Sequence, residues 1–206
     1  VEHPNVCSVF DFGDQNGQMF IVMQLIDGTP LNEWLSITEV DPRLAVETVL
    51  RVAQGLSAIH KEGIIHRDVK SQNIIMDRQG QPILTDFGLA LLSDDPHRIT
   101  HPSSFVGTPA CMPPEVVRDG SQAASIQGDV YSLGVVLFQL LTREPPFTGS
   151  LREVMNAIEH GPIPGPVERV PELPRELDAI VRRSMAHSPA QRFETADEFA
   201  SSLAGW

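Results

Sequence analysis

The opening of the chain carries short apolar runs of the kind that form strands. Val6 to Phe12 reads as one strand and Met19 to Gln24 as its partner, with turn chemistry at Gly13-Asp14-Gln15-Asn16-Gly17 between them. Gly28-Thr29-Pro30 closes that unit, and Leu31, Trp34 and Leu35 mark a short helix after it. The period then changes. Asp41 can accept from orphan helix N–H groups, Pro42 suits the first helical position, and Ala45, Val49, Val52, Ala53, Leu56 and Ile59 recur at helical spacing. Gly63 ends this helix, after Lys61 in its last turn.

Three short β-like pieces follow: Ile64-Ile65, Ile74-Ile75-Met76 and Ile83-Leu84-Thr85, the last two joined by a turn over Asp77 to Gln81. From Ala90 to Pro114 there is no periodicity, and a structureless stretch of that length in a compact domain is usually functional or disordered. The remainder is helical. Asp129 to Leu141 is apolar almost all round, the pattern of a buried helix. Ser150 to Glu153 is a capping box, Val154 and Ile158 continue the helix it opens, and Gly161-Pro162 stops it. Leu177, Ile180, Val181 and Met185 belong to another helix. A second capping box, Thr195 to Glu198, precedes Phe199 and Leu203. Strands first and helices last give an α+β layout.

Composition narrows the function classes. The chain has 206 residues, 41% of them apolar, enough for a packed core. Its net charge of −12 argues against a nucleic-acid partner and against a polybasic membrane-surface role. Cys7 and Cys111 are far apart and lack metal-ligand spacing, so a reducing, cytoplasmic setting is the natural reading. The longest apolar run, around Val130 to Leu141, is too short to span a bilayer. The chain opens at Val1 without a methionine and reads as a fragment, which leaves room for a membrane attachment outside this segment.

The chemistry concentrates in His66-Arg67-Asp68-Val69-Lys70-Ser71-Gln72-Asn73, followed thirteen residues past Asn73 by Asp86-Phe87-Gly88. Either short motif alone is weak, since Arg-Asp pairs are ordinary surface charge. Together, in this order and between β-like pieces, they are hard to obtain by chance. They resemble the catalytic loop and the metal-binding motif of protein kinases. The roles that follow are a match to the general template for phosphoryl transfer, not an independent derivation. The resemblance makes Asp68 the group that accepts or orients the substrate hydroxyl proton and Lys70 the contact to the γ-phosphate. It makes Asn73 and Asp86 the ligands of Mg²⁺, a hard cation that prefers oxygen. Met23-Gln24-Leu25-Ile26 is similar to the linker that takes the adenine edge of ATP through backbone groups of Gln24 and Ile26, and Ile75 would pack under the ring.

Further segments fall in family order. Gly107 to Glu115 resembles the end of the activation segment, with Cys111 where a tyrosine is usual and Pro113 where alanine is usual. Asp129-Val130-Tyr131-Ser132-Leu133-Gly134 resembles the start of the central buried helix, whose aspartate accepts from catalytic-loop N–H groups; a plain helix cap is the bland alternative. Glu115 and Arg192 match a family ion pair, against the alternative of two unrelated surface charges. His60, His97, His101, His160 and His187 read as surface or packing residues. Lys70 with Gly107-Thr108 implies serine/threonine specificity, and the motifs are similar to those of bacterial Hanks-type kinases. Arg67 before Asp68 implies control by loop phosphorylation, with Thr100, Ser103 and Ser104 as candidate acceptors.

The resemblance runs from His3 to Trp206 and implies a protein-kinase-like fold. Residues 1–24 would be the last two strands of the small lobe, and residues 25–206 the hinge and the mostly helical large lobe. No Gly-rich loop, strand lysine or partner glutamate for it is present in the sequence, so the chain alone is expected to transfer phosphate poorly. The implied function is phosphorylation of Ser/Thr in protein substrates in a signalling role. The alternatives are a pseudokinase-type binding scaffold, which would not need Asp68, Asn73 and Asp86, and a small-molecule phosphotransferase, against which Pro114-Glu115 counts.

Overall fold

The computed structural model describes residues 1–16, 18–86 and 111–206. Two antiparallel sheets come first. Strands β1 (Val9–Gln15) and β2 (Gln18–Met23) form a hairpin, with a register shift between Val9 and Asp11. Strands β3 (Gly28–Pro30), β4 (Ile74–Asp77) and β5 (Pro82–Leu84) form the second, in the order β3-β4-β5. Helices α1 (Leu31–Ile37) and α2 (Pro42–Lys61) lie between β3 and β4 in the chain. After β5 come α3 (Pro114–Asp119), α4 (Ile126–Thr142), α5 (Leu151–His160), α6 (Arg175–Ser184) and α7 (Ala196–Ala204). Strands lead and helices follow, as the α+β reading requires.

Several boundaries differ from the sequence expectation. Strand β1 starts at Val9, not Val6, and runs through Gly13 and Asp14, because those residues pair with Phe20 and Met19 across the hairpin. Residues 3–7 instead belong to the body: Asn5 Nδ2 donates to Pro82 O at 2.8 Å, Leu84 N to Asn5 O at 2.9 Å and Cys7 N to Leu84 O at 2.9 Å. Gly28-Thr29-Pro30 does not close the hairpin unit but forms β3 against β4. Ile64-Ile65 is not a strand: Gly63, at φ +75°, donates to His60 O, Ile64 donates to Ile59 O, and the segment wraps the end of α2.

The core is built around α4, which packs against α2, α6 and α7. Helix α2 begins where Asp41 accepts from Leu44 N at 2.7 Å and Pro42 takes the first position. Helix α4 begins three residues before the expected Asp129, because the Ser125 side chain accepts from Gly128 N at 3.0 Å and caps it there. Val130, Leu133, Val135, Val136, Leu137 and Phe138 are fully buried. Gly134 lets α4 approach α6: a Cβ there would collide with the Ser184 side chain. The capping box at Ser150 is complete, whereas the one at Thr195 is half made, since Glu198 accepts from Glu194 N and not from the cap.

Candidate active site

The turn from α2 into β4 carries Asp68, Lys70 and Asn73, and backbone hydrogen bonds fix it from two sides. From below, Asp129 in the first turn of α4 lends both carboxylate oxygens. Oδ2 accepts from His66 N at 2.8 Å and Oδ1 from Arg67 N at 2.9 Å. These bonds hold Arg67 at φ +69°, a left-handed conformation that non-glycine residues avoid. The aspartate is thus no mere helix cap. His60 is not a surface or packing histidine either: its Nε2 donates to Asp129 Oδ2 at 2.8 Å, and its side chain is only 6% exposed. That bond selects the Nε2–H tautomer and leaves His60 Nδ1 buried without a partner among the described residues.

From the side, the end of β5 closes on the loop. Thr85 N donates to Asn73 O at 2.8 Å, and His66 Nε2 donates to Thr85 O at 2.9 Å. His66 Nδ1 accepts from Asp68 N at 3.3 Å, so both ring nitrogens work in one neutral tautomer. Burial pulls the His66 pKa below its usual 6.5, against the smaller opposing effect of the Asp129 charge. Neither Thr85 nor His60 stands out in the sequence, because their work is done through hydrogen bonds that spacing does not reveal.

Two further polar side chains of the loop converge on Asp68. Lys70 Nζ lies 2.6 Å from Asp68 Oδ2, and Asn73 Nδ2 donates to both Asp68 O and Asp68 Oδ2 at 2.9 Å. The Asp68 side chain stays 53% exposed, so its carboxylate is open to solvent. Asn73 spends both amide hydrogens on Asp68, and its Oδ1 makes no hydrogen bond among the described residues. Asp86, at the end of the same sheet, is half-buried at φ +62°. An amide oxygen and a carboxylate suit Mg²⁺, which keeps water and phosphate oxygens for its remaining positions. Among the described residues no three His, Cys, Asp or Glu side chains gather into a self-sufficient metal cage.

The linker residues lie where the hairpin joins the body. Gln24 N donates to Ser8 O at 2.8 Å, and among the described residues Gln24 O receives only the long Cys7 Sγ contact at 3.6 Å. Met23 and Ile26 are half-buried, while Leu25 is 94% exposed. Ile75, half-buried on β4, sits opposite Pro30 on one side and Ile83 on the other.

Two features anchor the described end of the activation segment. Glu115 and Arg192 form a buried two-pronged pair at 2.8 and 2.7 Å, with the Arg192 side chain 0% exposed and its guanidinium 4.9 Å from the Tyr131 ring centre. They are not unrelated surface charges. Ser132 Oγ donates to Cys111 O at 2.7 Å. Burial, with the Asp68 charge adding, pushes the Cys111 thiol up to about 12, so it stays protonated. Phe87, Gly88, Thr100, Ser103, Ser104 and Gly107 to Ala110 lie outside the described residues.

Residues 1–202 match the protein kinase domain. The chain is 36% identical over 202 residues to serine/threonine-protein kinase PknH of Mycobacterium bovis, covering 97% of this chain and 33% of that protein. It is 36% identical over 212 residues to serine/threonine-protein kinase PknB of Mycolicibacterium smegmatis (98% of this chain, 33% of that one). It is 32% identical over 206 residues to serine/threonine-protein kinase PrkC of Bacillus subtilis (98% and 31%). The chain therefore spans about a third of the length of these relatives.

Proposed function

This chain belongs to the protein kinase family, and from that premise we propose that it serves transfer of the γ-phosphate of ATP to serine and threonine hydroxyls of protein substrates. The family uses ATP and a divalent metal ion in general; we assign the metal as Mg²⁺ and its ligands as Asn73 and Asp86. The observation that carries the reading is the Asp68–Lys70–Asn73 cluster, held from Asp129 on one side and Thr85 on the other.

Phosphoryl transfer asks for positioning and charge neutralisation more than for covalent help. Asp68 accepts, or orients, the proton of the incoming hydroxyl. Lys70 stands as a point charge beside Asp68 and turns toward the transferring phosphate. Asn73 braces Asp68 with its amide hydrogens and offers its oxygen to the metal. When bound, Mg²⁺ neutralises charge on the phosphates. Met23, the backbone of Gln24 and Ile26, and the side chain of Ile75 line the adenine site. The hairpin up to Gln24 stands as one wall of the cleft and residues 25–206 as the other, with Thr100, Ser103 and Ser104 as phosphorylation sites answered by Arg67.

Asp68→Asn in the full-length protein tests the reading. Turnover on a protein substrate should fall at least about a hundredfold, the scale of a lost general base, with ATP affinity little changed. Turnover within a factor of about three of the parent would remove Asp68 from this role.

A further inference from the structure

The geometry points to Thr85 as a positioning residue whose hydroxyl holds the Asp86 carboxylate in register with Asn73. The inference rests on the assignment of Asn73 and Asp86 as metal ligands. Thr85 is buried, and each of its polar groups is engaged. Its N–H donates to Asn73 O at 2.8 Å and its carbonyl accepts from His66 Nε2 at 2.9 Å. Its Oγ1 lies 3.2 Å from Asn73 O and 3.5 Å from Asp86 Oδ2.

A hydroxyl carries one proton, and here two oxygens compete for it. Asn73 O already receives the shorter and stronger bond from Thr85 N, so that carbonyl does not depend on the hydroxyl. The contribution peculiar to Oγ1 is a donor within reach of Asp86 Oδ2. Among the described residues no other side chain stands within hydrogen-bond reach of that carboxylate. Asp86 sits at φ +62°, so its backbone is fixed by its surroundings, and its side-chain rotation is the freedom that remains. A carboxylate held in place before the metal arrives loses less freedom on binding it. The hydroxyl acts on the metal through Asp86.

Two variants separate this role from simple packing. Thr85→Val keeps the branched shape and removes the hydroxyl, whereas Thr85→Ser keeps the hydroxyl and removes a methyl. Mn²⁺ binding to the full-length protein, followed by electron paramagnetic resonance at saturating ADP, reads the metal site without any turnover. Half-saturation by Mn²⁺ should rise about tenfold in Thr85→Val, the low end of what losing an outer partner costs a metal site, since 3.5 Å is long for O–H···O. Thr85→Ser should stay within about twofold of the parent, and ADP affinity in EDTA should be unchanged in both variants. Equal Mn²⁺ half-saturation in Thr85→Val and the parent overturns the proposal. So does a Thr85→Ser variant as impaired as Thr85→Val, or a matching loss of ADP affinity in EDTA. If the parent binds ADP with no dependence on divalent metal, the assignment of Asn73 and Asp86 falls, and the role of Thr85 falls with it.

Discussion

In the β1–β2 hairpin, Phe10 and Phe12 are 68% and 67% exposed, and Met19, Phe20 and Val22 are exposed as well. In α2 and α4, apolar residues of similar size such as Leu56, Ile59, Leu137 and Phe138 are at 0%. Both regions are rich in apolar side chains. The difference lies in what each face meets. Helix α4 has α2, α6 and α7 around it, so almost every direction is apolar. A two-stranded hairpin has two faces and too few neighbours to cover either, and such a unit is marginal by itself. An apolar pattern therefore tells which residues can be buried, while the number of packed neighbours decides which are. The stability of this fold resides in the helical body.

The sharpest way to break that contrast is to strike the body where it is charged. Glu115→Ala leaves the Arg192 guanidinium buried without its partner, and should destabilise the body by about 3–5 kcal/mol in denaturant unfolding. A loss below about 1 kcal/mol would show that Arg192 finds other acceptors, such as the Ala186 and Gln127 carbonyls it already contacts.

Acid gives a smaller effect on the same body. His66 has its folded-state pKa lowered from 6.5 by burial, so below that pH the unfolded chain binds more protons than the folded one. The His66 contribution to stability is complete above about pH 6.5 and declines as pH falls beneath it. Chemical denaturation at pH 7.5 and 5.5 should show that decline, and His66→Asn should flatten it. An unchanged slope in the variant would assign the decline to other groups.

The smallest effect belongs to the hairpin. Phe12→Thr keeps a strand-forming residue and removes an exposed ring, and should change global stability by no more than about 0.5 kcal/mol. It should also reduce self-association in sedimentation, because exposed apolar strands invite it. A loss of several kcal/mol would mean that the ring is buried against a partner surface in the protein as tested.

What could be read from the residues follows the same division. Helix α2 announced itself through Asp41-Pro42 and a regular apolar face, and its observed start agrees. The start of α4 was harder to see, since Gln127 and Gly128 add no periodicity and the cap is a lone Ser125. Ile64-Ile65 looked like a strand because two β-branched residues carry the same signal whether they pair or wrap a helix end. At the candidate site, Asp68, Lys70, Asn73 and Asp86 stand out by identity and order, and the structure brings the first three together. The bonds that His60, His66 and Thr85 make are not legible from identity and order, because each acts on a backbone group or on another side chain from a distance in sequence.

Asp129 gives the loop that carries Asp68 a datum. One carboxylate, 3% exposed, takes three donors from two segments, and its own position is fixed by the first turn of α4. The height of Asp68 above the core is therefore gauged from the deepest helix as well as from the end of β5. The hairpin could be rebuilt residue by residue without resetting that gauge.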